Sequence, residues 1–68
     1  MRLSARNQIK GHVVHVSKGA TTAHVTIEVA AGIRLMASIT NEAVDELGLQ
    51  PGGEAWAVIK ASDVMVGR

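Results

Sequence analysis

The chain contains no cysteine. No disulfide and no thiolate metal site can hold it together, and the absence suits a reducing cytoplasm. Phenylalanine and tyrosine are also missing, and Trp56 is the single aromatic residue. One ring is a poor platform for stacking the bases of a single-stranded nucleic acid. There is no excess of one charge either: seven basic residues face six acidic ones, a formal net charge of +1. Proteins that grip a phosphate backbone usually carry a clear basic patch, so no nucleic-acid partner is expected. No stretch has the charged start and apolar core of a secretory signal, and no apolar run is long enough to span a bilayer. The expectation is a soluble, cytoplasmic protein with no membrane partner.

What is present is apolar. Hydrophobic residues make up 47% of 68 residues, almost all of them Val, Ala, Ile, Leu and Met. That length is one domain, 1–68, and a core this small rarely supplies more than ~3–5 kcal/mol. So much apolar surface on so small a domain predicts a subunit interface. Association would supply the stability that a disulfide or metal supplies in other small domains.

The apolar residues are spaced for strands. From Gln8 to Ser17 the residues Ile9, Val13, Val14 and Val16 suggest a strand with a bend or bulge at Gly11. Lys18-Gly19 reads as a turn. From Thr22 the alternation is clean, with Ala23, Val25, Ile27 and Val29 on one face and Thr22, His24, Thr26 and Glu28 on the other. Ala30-Ala31-Gly32 breaks the run. A third strand then sets Ile33, Leu35, Ala37 and Ile39 against Arg34, Met36, Ser38 and Thr40. The period changes at Thr40, a suitable N-cap for a short helix whose inward face is Val44 and Leu47 and which Gly48 ends. After the turn Leu49-Gln50-Pro51-Gly52-Gly53, a fourth strand covers Glu54–Ala61 and a short fifth covers Val64–Val66. Three strands, a helix and two strands is the order of an OB-like five-stranded barrel, mainly β, with one short helix between strands 3 and 4. An open half-sandwich completed by a partner is the other architecture this order allows.

The usual chemical constellations are missing. His12 and His15 are an odd number of residues apart, which on a regular strand puts them on opposite faces. His24 has no carboxylate placed to complete a shell, so no metal cation is expected. Ser4, Ser17, Ser38 and Ser62 lack a nucleophile elbow, and no carboxylate pair sits in an apolar context suited to acid–base work. No catalytic residue is assigned, and the chain is not expected to be an enzyme.

Two polar clusters remain. Ser4-Ala5-Arg6-Asn7-Gln8 offers a hydroxyl, a guanidinium and two amides ahead of the first strand, and Lys60-Ala61-Ser62 follows an apolar strand. Lys60 either snorkels at the strand end or delivers a cation to a site. Arg6 is either solvated or does the same. If the clusters meet, their donors, with the helix amino end, suit a small tetrahedral dianion. On the residues alone, an OB-type module that binds nucleic acid or another protein stays open.

These residues carry a resemblance. The run Ser4-Ala5-Arg6-Asn7-Gln8-Ile9, then Gly11 and Gly19, then Ala37-Ser38-Ile39-Thr40, Leu47-Gly48-Leu49 and Ile59-Lys60-Ala61-Ser62 resemble the molbindin family, the Mop domains that bind molybdate and tungstate. The resemblance covers nearly the whole chain. It implies an OB-type barrel, a homo-oligomer that is a hexamer built as a trimer of dimers, and bound molybdate or tungstate between subunits. It implies a dimer-interface site using Ser4, Ala5 and Arg6 of one chain. Thr40, the backbone near Ala43, and Lys60 with Ala61 and Ser62 would come from another chain. It also implies a threefold-axis site at the turn Gly19, Ala20, Thr21 and Thr22. Here the chain departs from the family, reading Thr21-Thr22-Ala23-His24-Val25 where Val-Asn-Ala-Glu-Val is frequent. No DNA-binding or ATPase domain accompanies the motif, which points to a stand-alone protein that stores the oxyanion for molybdenum or tungsten homeostasis.

Overall fold

One long strand, β1 (Asn7–Lys18), is the spine of the fold. In this computed structural model, which describes residues 2–68, the first half of β1 pairs with β4 (Glu54–Ile59) and the second half with β2 (Thr22–Ala30). β2 pairs in turn with β3 (Ile33–Thr40). The sheet is antiparallel throughout, in the order β3-β2-β1-β4. The helix α1 (Asn41–Leu47) stands between β3 and β4 and packs against β3 and β2. This is the expected mainly β, OB-like architecture with its one helix in the expected place. The alternation of β2 holds: Ala23, Val25 and Ile27 are buried with Val13, Val44 and Ala57, and the sheet curls around them.

The bulge in β1 lies three residues beyond the expected position, with Val14 the extra residue. Gly11 pairs regularly with Ala55, and the register slips between Val13 and His15. Val13 spends its backbone on another partner: its N–H donates to the Gly53 carbonyl at 2.8 Å, and its carbonyl accepts from the Gly52 N–H at 2.8 Å. Gly11 has a different task. A Cβ there would lie 2.4 Å from the Glu28 carbonyl oxygen and 2.9 Å from Ile27 Cγ2. The missing side chain is what lets β2 lie against the bent strand.

The slip changes the histidines. His12 lies opposite Glu28 and His15 opposite Thr26, two residues of one face of β2. The extra residue of the bulge cancels the odd spacing, so the two imidazoles share the outer face rather than lying on opposite faces. His12 Nε2 is 3.5 Å from Glu28 Oε2, and Arg34 reaches the other oxygen of the same carboxylate at 3.4 Å. Among the described residues no three His, Cys, Asp or Glu side chains converge to hold a metal.

The helix begins and ends as its sequence requires. Thr40 Oγ1 accepts from the Ala43 N–H at 3.0 Å, and Gly48 closes the helix in the left-handed region at φ 64°. The Leu49 N–H then returns to the Val44 carbonyl at 3.0 Å. That return puts Leu49, not Leu47, beside Val44 in the core; Leu47 is 69% exposed. Leu47 is the last residue of the helix, and the chain leaving through Gly48 puts Leu49 in the core beside Val44. Pro51 and Gly52 (φ 90°) form the next turn, with the Gly53 N–H on the Gln50 carbonyl at 3.0 Å.

The last elements differ from expectation. β4 ends at Ile59, and Lys60 caps a 3₁₀ turn over Ala61–Asp63. The expected fifth strand at Val64–Val66 is not formed: the segment joins none of the described strands, and Met65 and Val66 are each 94% exposed. A strand needs an edge to pair with, and the turn at residues 61–63 carries this tail away from its own sheet. Meanwhile β3 and β4 both keep a free edge. Between them opens an apolar cleft of about 740 Å³, floored by Leu35, Ala37 and Ile39 of β3 and Ala55, Ala57 and Ile59 of β4.

Gly11→Ala is expected to lower unfolding stability by ~2 kcal/mol through overpacking against backbone that cannot yield. Gly67→Ala, with nothing within 4 Å of the added carbon, is expected to change it by less than ~0.5 kcal/mol. Urea denaturation of both variants checks the pair.

Candidate functional site

The register of β1 on β4 decides what meets. Antiparallel pairing sets Asn7, the first residue of β1, opposite Ile59, the last of β4. The residues just outside the ladder must then be neighbours: Ser4, Ala5 and Arg6 on one side, Lys60, Ala61 and Ser62 on the other. These six line one cleft of about 500 Å³. Amides fix its walls. Asn7 Nδ2 donates to the Ile59 carbonyl at 3.2 Å, and Gln8 Nε2 donates back to the Ala5 carbonyl at 3.2 Å. On the far wall the Asp63 N–H closes onto the Lys60 carbonyl at 2.9 Å, which sets Ala61 and Ser62 as a tight turn.

The cleft has donors and positive charge and, among the described residues, no lining carboxylate. Lys10, Lys18, Arg34 and His12 each lie beside an acidic group. Among the described residues, Arg6 and Lys60 have no such partner. Guanidinium, ammonium and two hydroxyls can together surround a small oxyanion with charge-assisted bonds. The cleft is also open, since five of its six residues are exposed and Ala5 is half-buried. Charges in so wet a place attract an anion only weakly, so firm binding requires a cover.

The other expected site residues lie elsewhere. Thr40 pairs with Thr22 at the start of β2, beside the Lys18 end of β1, whereas the cleft stands at the Asn7 end. Thr40 and Ala43 are therefore not brought to the cleft by their own chain, and Lys60 is grouped with Arg6 rather than with Thr40. The resemblance implied the opposite grouping. Within one chain the segment Ser4–Arg6 is held beside Lys60 by the ladder at Asn7 and by the Gln8 bond to Ala5. Thr40 and Ala43 already bond to each other, but an oxygen that accepts from an N–H keeps its own O–H free to donate. The turn Gly19, Ala20, Thr21 and Thr22 is closed by the Gly19 N–H on the Thr22 carbonyl at 2.8 Å.

Asn7 and Gln8 as wall-forming residues were not separated from the polar run by sequence reasoning. Neither was Asn41, whose side chain donates to the Gly19 carbonyl at 2.9 Å. The partners of Asn7 and Asn41 lie far away in the chain, whereas that of Gln8 is only three residues away. A polar residue at the first or second position of a strand was the available signal for the first two.

Comparison with known proteins agrees with this fold. A family model described as the TOBE domain matches residues 3–66. Molybdenum-pterin-binding protein 1 of Clostridium pasteurianum is 48% identical over 66 residues, 97% of each chain. The solved MopII of Clostridium pasteurianum, in an apo form, superimposes with a TM-score of 0.90 at 45% identity and covers 98% of this chain and 100% of its own. The cytoplasmic molybdate-binding protein ModG, solved with molybdate bound, gives a TM-score of 0.91 at 49% identity over 96% of this chain and 46% of its own. The fold is thus that of a small OB-like domain of the kind found in those proteins. The chain belongs to the TOBE-domain family, and within it to the Mop, or molbindin, group.

Thr40→Ala is expected to cost ~1 kcal/mol of stability by removing the helix cap, and Thr40→Ser to recover most of it. Thermal unfolding of the two variants side by side checks the role of the cap.

Proposed function

We propose that the protein binds molybdate or tungstate in the cleft of Ser4, Ala5, Arg6, Lys60, Ala61 and Ser62, and stores the oxyanion in the cytoplasm for molybdenum or tungsten homeostasis. The observation that carries this is the convergence of Arg6 and Lys60, both without a carboxylate partner among the described residues, on one cleft walled by hydroxyls and backbone. The molybdate bound to ModG and the names of the other relatives support the choice of ligand. Molybdate and tungstate are fully deprotonated dianions at neutral pH and need only donors. Phosphate carries a proton for part of the time, and an all-donor site offers nothing to accept it. Sulfate has the right charge but is smaller, and donors placed for the larger ion cannot all reach it.

The cover comes from another copy. In this reading the open cleft of one chain is closed by Thr40 and the backbone near Ala43 of a neighbour, with the free Thr40 O–H as donor. A homo-oligomer, a hexamer arranged as a trimer of dimers, accommodates this arrangement. Its support is the apolar surface a lone chain leaves uncovered: the cleft between β3 and β4, and the extended Val64–Val66 tail. A neighbour's tail is the element that fits such a gap, since it is apolar, extended and unpaired. The turn Gly19–Thr22 is a second oxyanion site near a threefold axis.

Magnitude separates a covered site from an open one. Truncating one partner of a desolvated charge costs ~2–5 kcal/mol, whereas an exposed pair is worth ~0–1 kcal/mol. Calorimetric titration with molybdate is expected to show Arg6→Ala and Lys60→Ala each weakened at least thirtyfold, with sulfate bound far more weakly by the unaltered protein. A change of less than threefold in both variants, or equal affinity for sulfate and molybdate, would sink the proposal. Refolding the two variants together is expected to restore nothing beyond their separate affinities, because Arg6 and Lys60 line the same cleft of one chain.

A further inference from the structure

The register of β1 on β4 can be continued past its last pair. Each step toward the start of the chain on β1 is met by one step toward its end on β4. Beyond Asn7 and Ile59 the next pair is Arg6 with Lys60, then Ala5 with Ala61 and Ser4 with Ser62. The cleft is therefore the continuation of the ladder in matched pairs. Yet the pairing stops at Asn7 and Ile59. Lys60 still has an extended backbone, φ −63° and ψ 135°, so its own conformation does not forbid one more pair. The chain bends at Arg6 instead. Like charges directly opposite each other weaken an antiparallel pair. This pair would be two cations with no acidic neighbour among the described residues. The same two strands show the contrary case, where Lys10 of β1 reaches Glu54 of β4 at 3.1 Å. At the border stands Asn7, whose Nδ2 crosses to the Ile59 carbonyl at 3.2 Å. That bond joins the two walls at the residues next to the two cations.

We propose that repulsion between Arg6 and Lys60 ends the β1–β4 ladder, that Asn7 is a positioning residue whose amide holds the strand ends together against it, and that a dianion in the cleft tightens this end by neutralising both charges. The third part rests on the reading of the cleft as an anion site; the first two do not. Both cations face solvent, so their repulsion is modest and salt screens it. One ordinary hydrogen bond is enough to oppose it. Without the Asn7 bond the walls part more often, and an anion meets the two charges one at a time. With it, the charges are side by side before any ligand arrives, and less ordering is left for binding to supply.

Backbone amide exchange of the full chain, followed by NMR, tests this. It is measured at ~0.01 M sodium chloride, where charges are felt over ~30 Å, and at ~1 M, where they are felt over ~3 Å. The unaltered protein is compared with Asn7→Leu, with Lys60→Met and with the chain carrying both. In Asn7→Leu at low salt, the amides of residues 7–9 and 57–59 are expected to exchange about fivefold faster, the loss of one ordinary hydrogen bond. The β1–β2 ladder around Val16 and Val25 is expected to keep its rates. The defect is expected to shrink about twofold at high salt, and about twofold when Lys60→Met is added, the size of an exposed charge pair. A bond that merely adds stability responds to neither. Lys60→Met alone is expected to slow exchange at the same amides about twofold at low salt and to leave it unchanged at high salt. Sodium molybdate at constant ionic strength is expected to slow these amides in the unaltered protein and to have little effect in Lys60→Met.

A defect of equal size at both salt concentrations, persisting when Lys60→Met is added, makes Asn7 an ordinary structural bond and overturns the proposal. So does Lys60→Met with unchanged exchange at low salt, a result that decides the matter even if Asn7→Leu fails to fold. Calorimetry on the same samples separates the anion from the clasp. Heat of binding with molybdate but no slowing of exchange overturns the tightening. If molybdate gives no heat at all, the proposed ligand fails, and the salt and variant results still decide the roles of the two cations and of Asn7.

Discussion

Antiparallel pairing of the start of β1 with the end of β4 is the constraint on which the remaining structure depends. It places Asn7 opposite Ile59, which makes neighbours of two polar segments more than fifty residues apart in the chain. It requires β1 to be long enough to serve two partners and to bend between them. The bend in turn requires a bulge at Val13–His15 and a residue without a side chain at Gly11. A shift of the β1–β4 register by one residue would turn the side chains of β4 to the opposite faces. Ala57 would leave the core, and Arg6 and Lys60 would no longer lie side by side. Core and cleft are thus two consequences of one pairing.

The same sheet has two free edges, and they are the edges that an apolar cleft separates. A domain of this size has little stability to spare. Its exposed Val64, Met65 and Val66 and its open interior are apolar surface that a second copy can remove from water. Under the proposed function the anion gains by the same step. A dianion held by exposed Arg6 and Lys60 is screened by solvent; with a neighbour's helix start over it, the same groups act in a lower dielectric. Assembly and anion binding then favour each other without any moving part beyond the association itself.

Much of this was legible from residue order. Strand β2 and the cap at Thr40 are local features, set by alternation and by one hydroxyl three residues before an N–H. Both stand where the sequence predicts them. The polar clusters were visible too, because they interrupt an otherwise apolar chain. What could not be read locally depends on partners far away. The bulge falls at Val14 rather than Gly11 because Gly52 and Gly53 take the Val13 backbone groups, and no pattern within β1 reports that. The shared face of His12 and His15 follows from the same slip. The Val64–Val66 segment has the composition of a strand but no edge within reach, and composition does not tell an internal partner from an external one. The grouping of Arg6 with Lys60 in one chain likewise follows from register alone.

The most direct measurement is anomalous diffraction at the molybdenum edge, on crystals of the full chain grown with molybdate. The expected peak lies within hydrogen-bonding distance of Arg6 and Lys60 of one protomer, with Thr40 of a neighbouring protomer on its open side. Peaks confined to other surfaces, or a molybdate that draws Arg6 and Lys60 from different protomers, would contradict the cleft as the binding site.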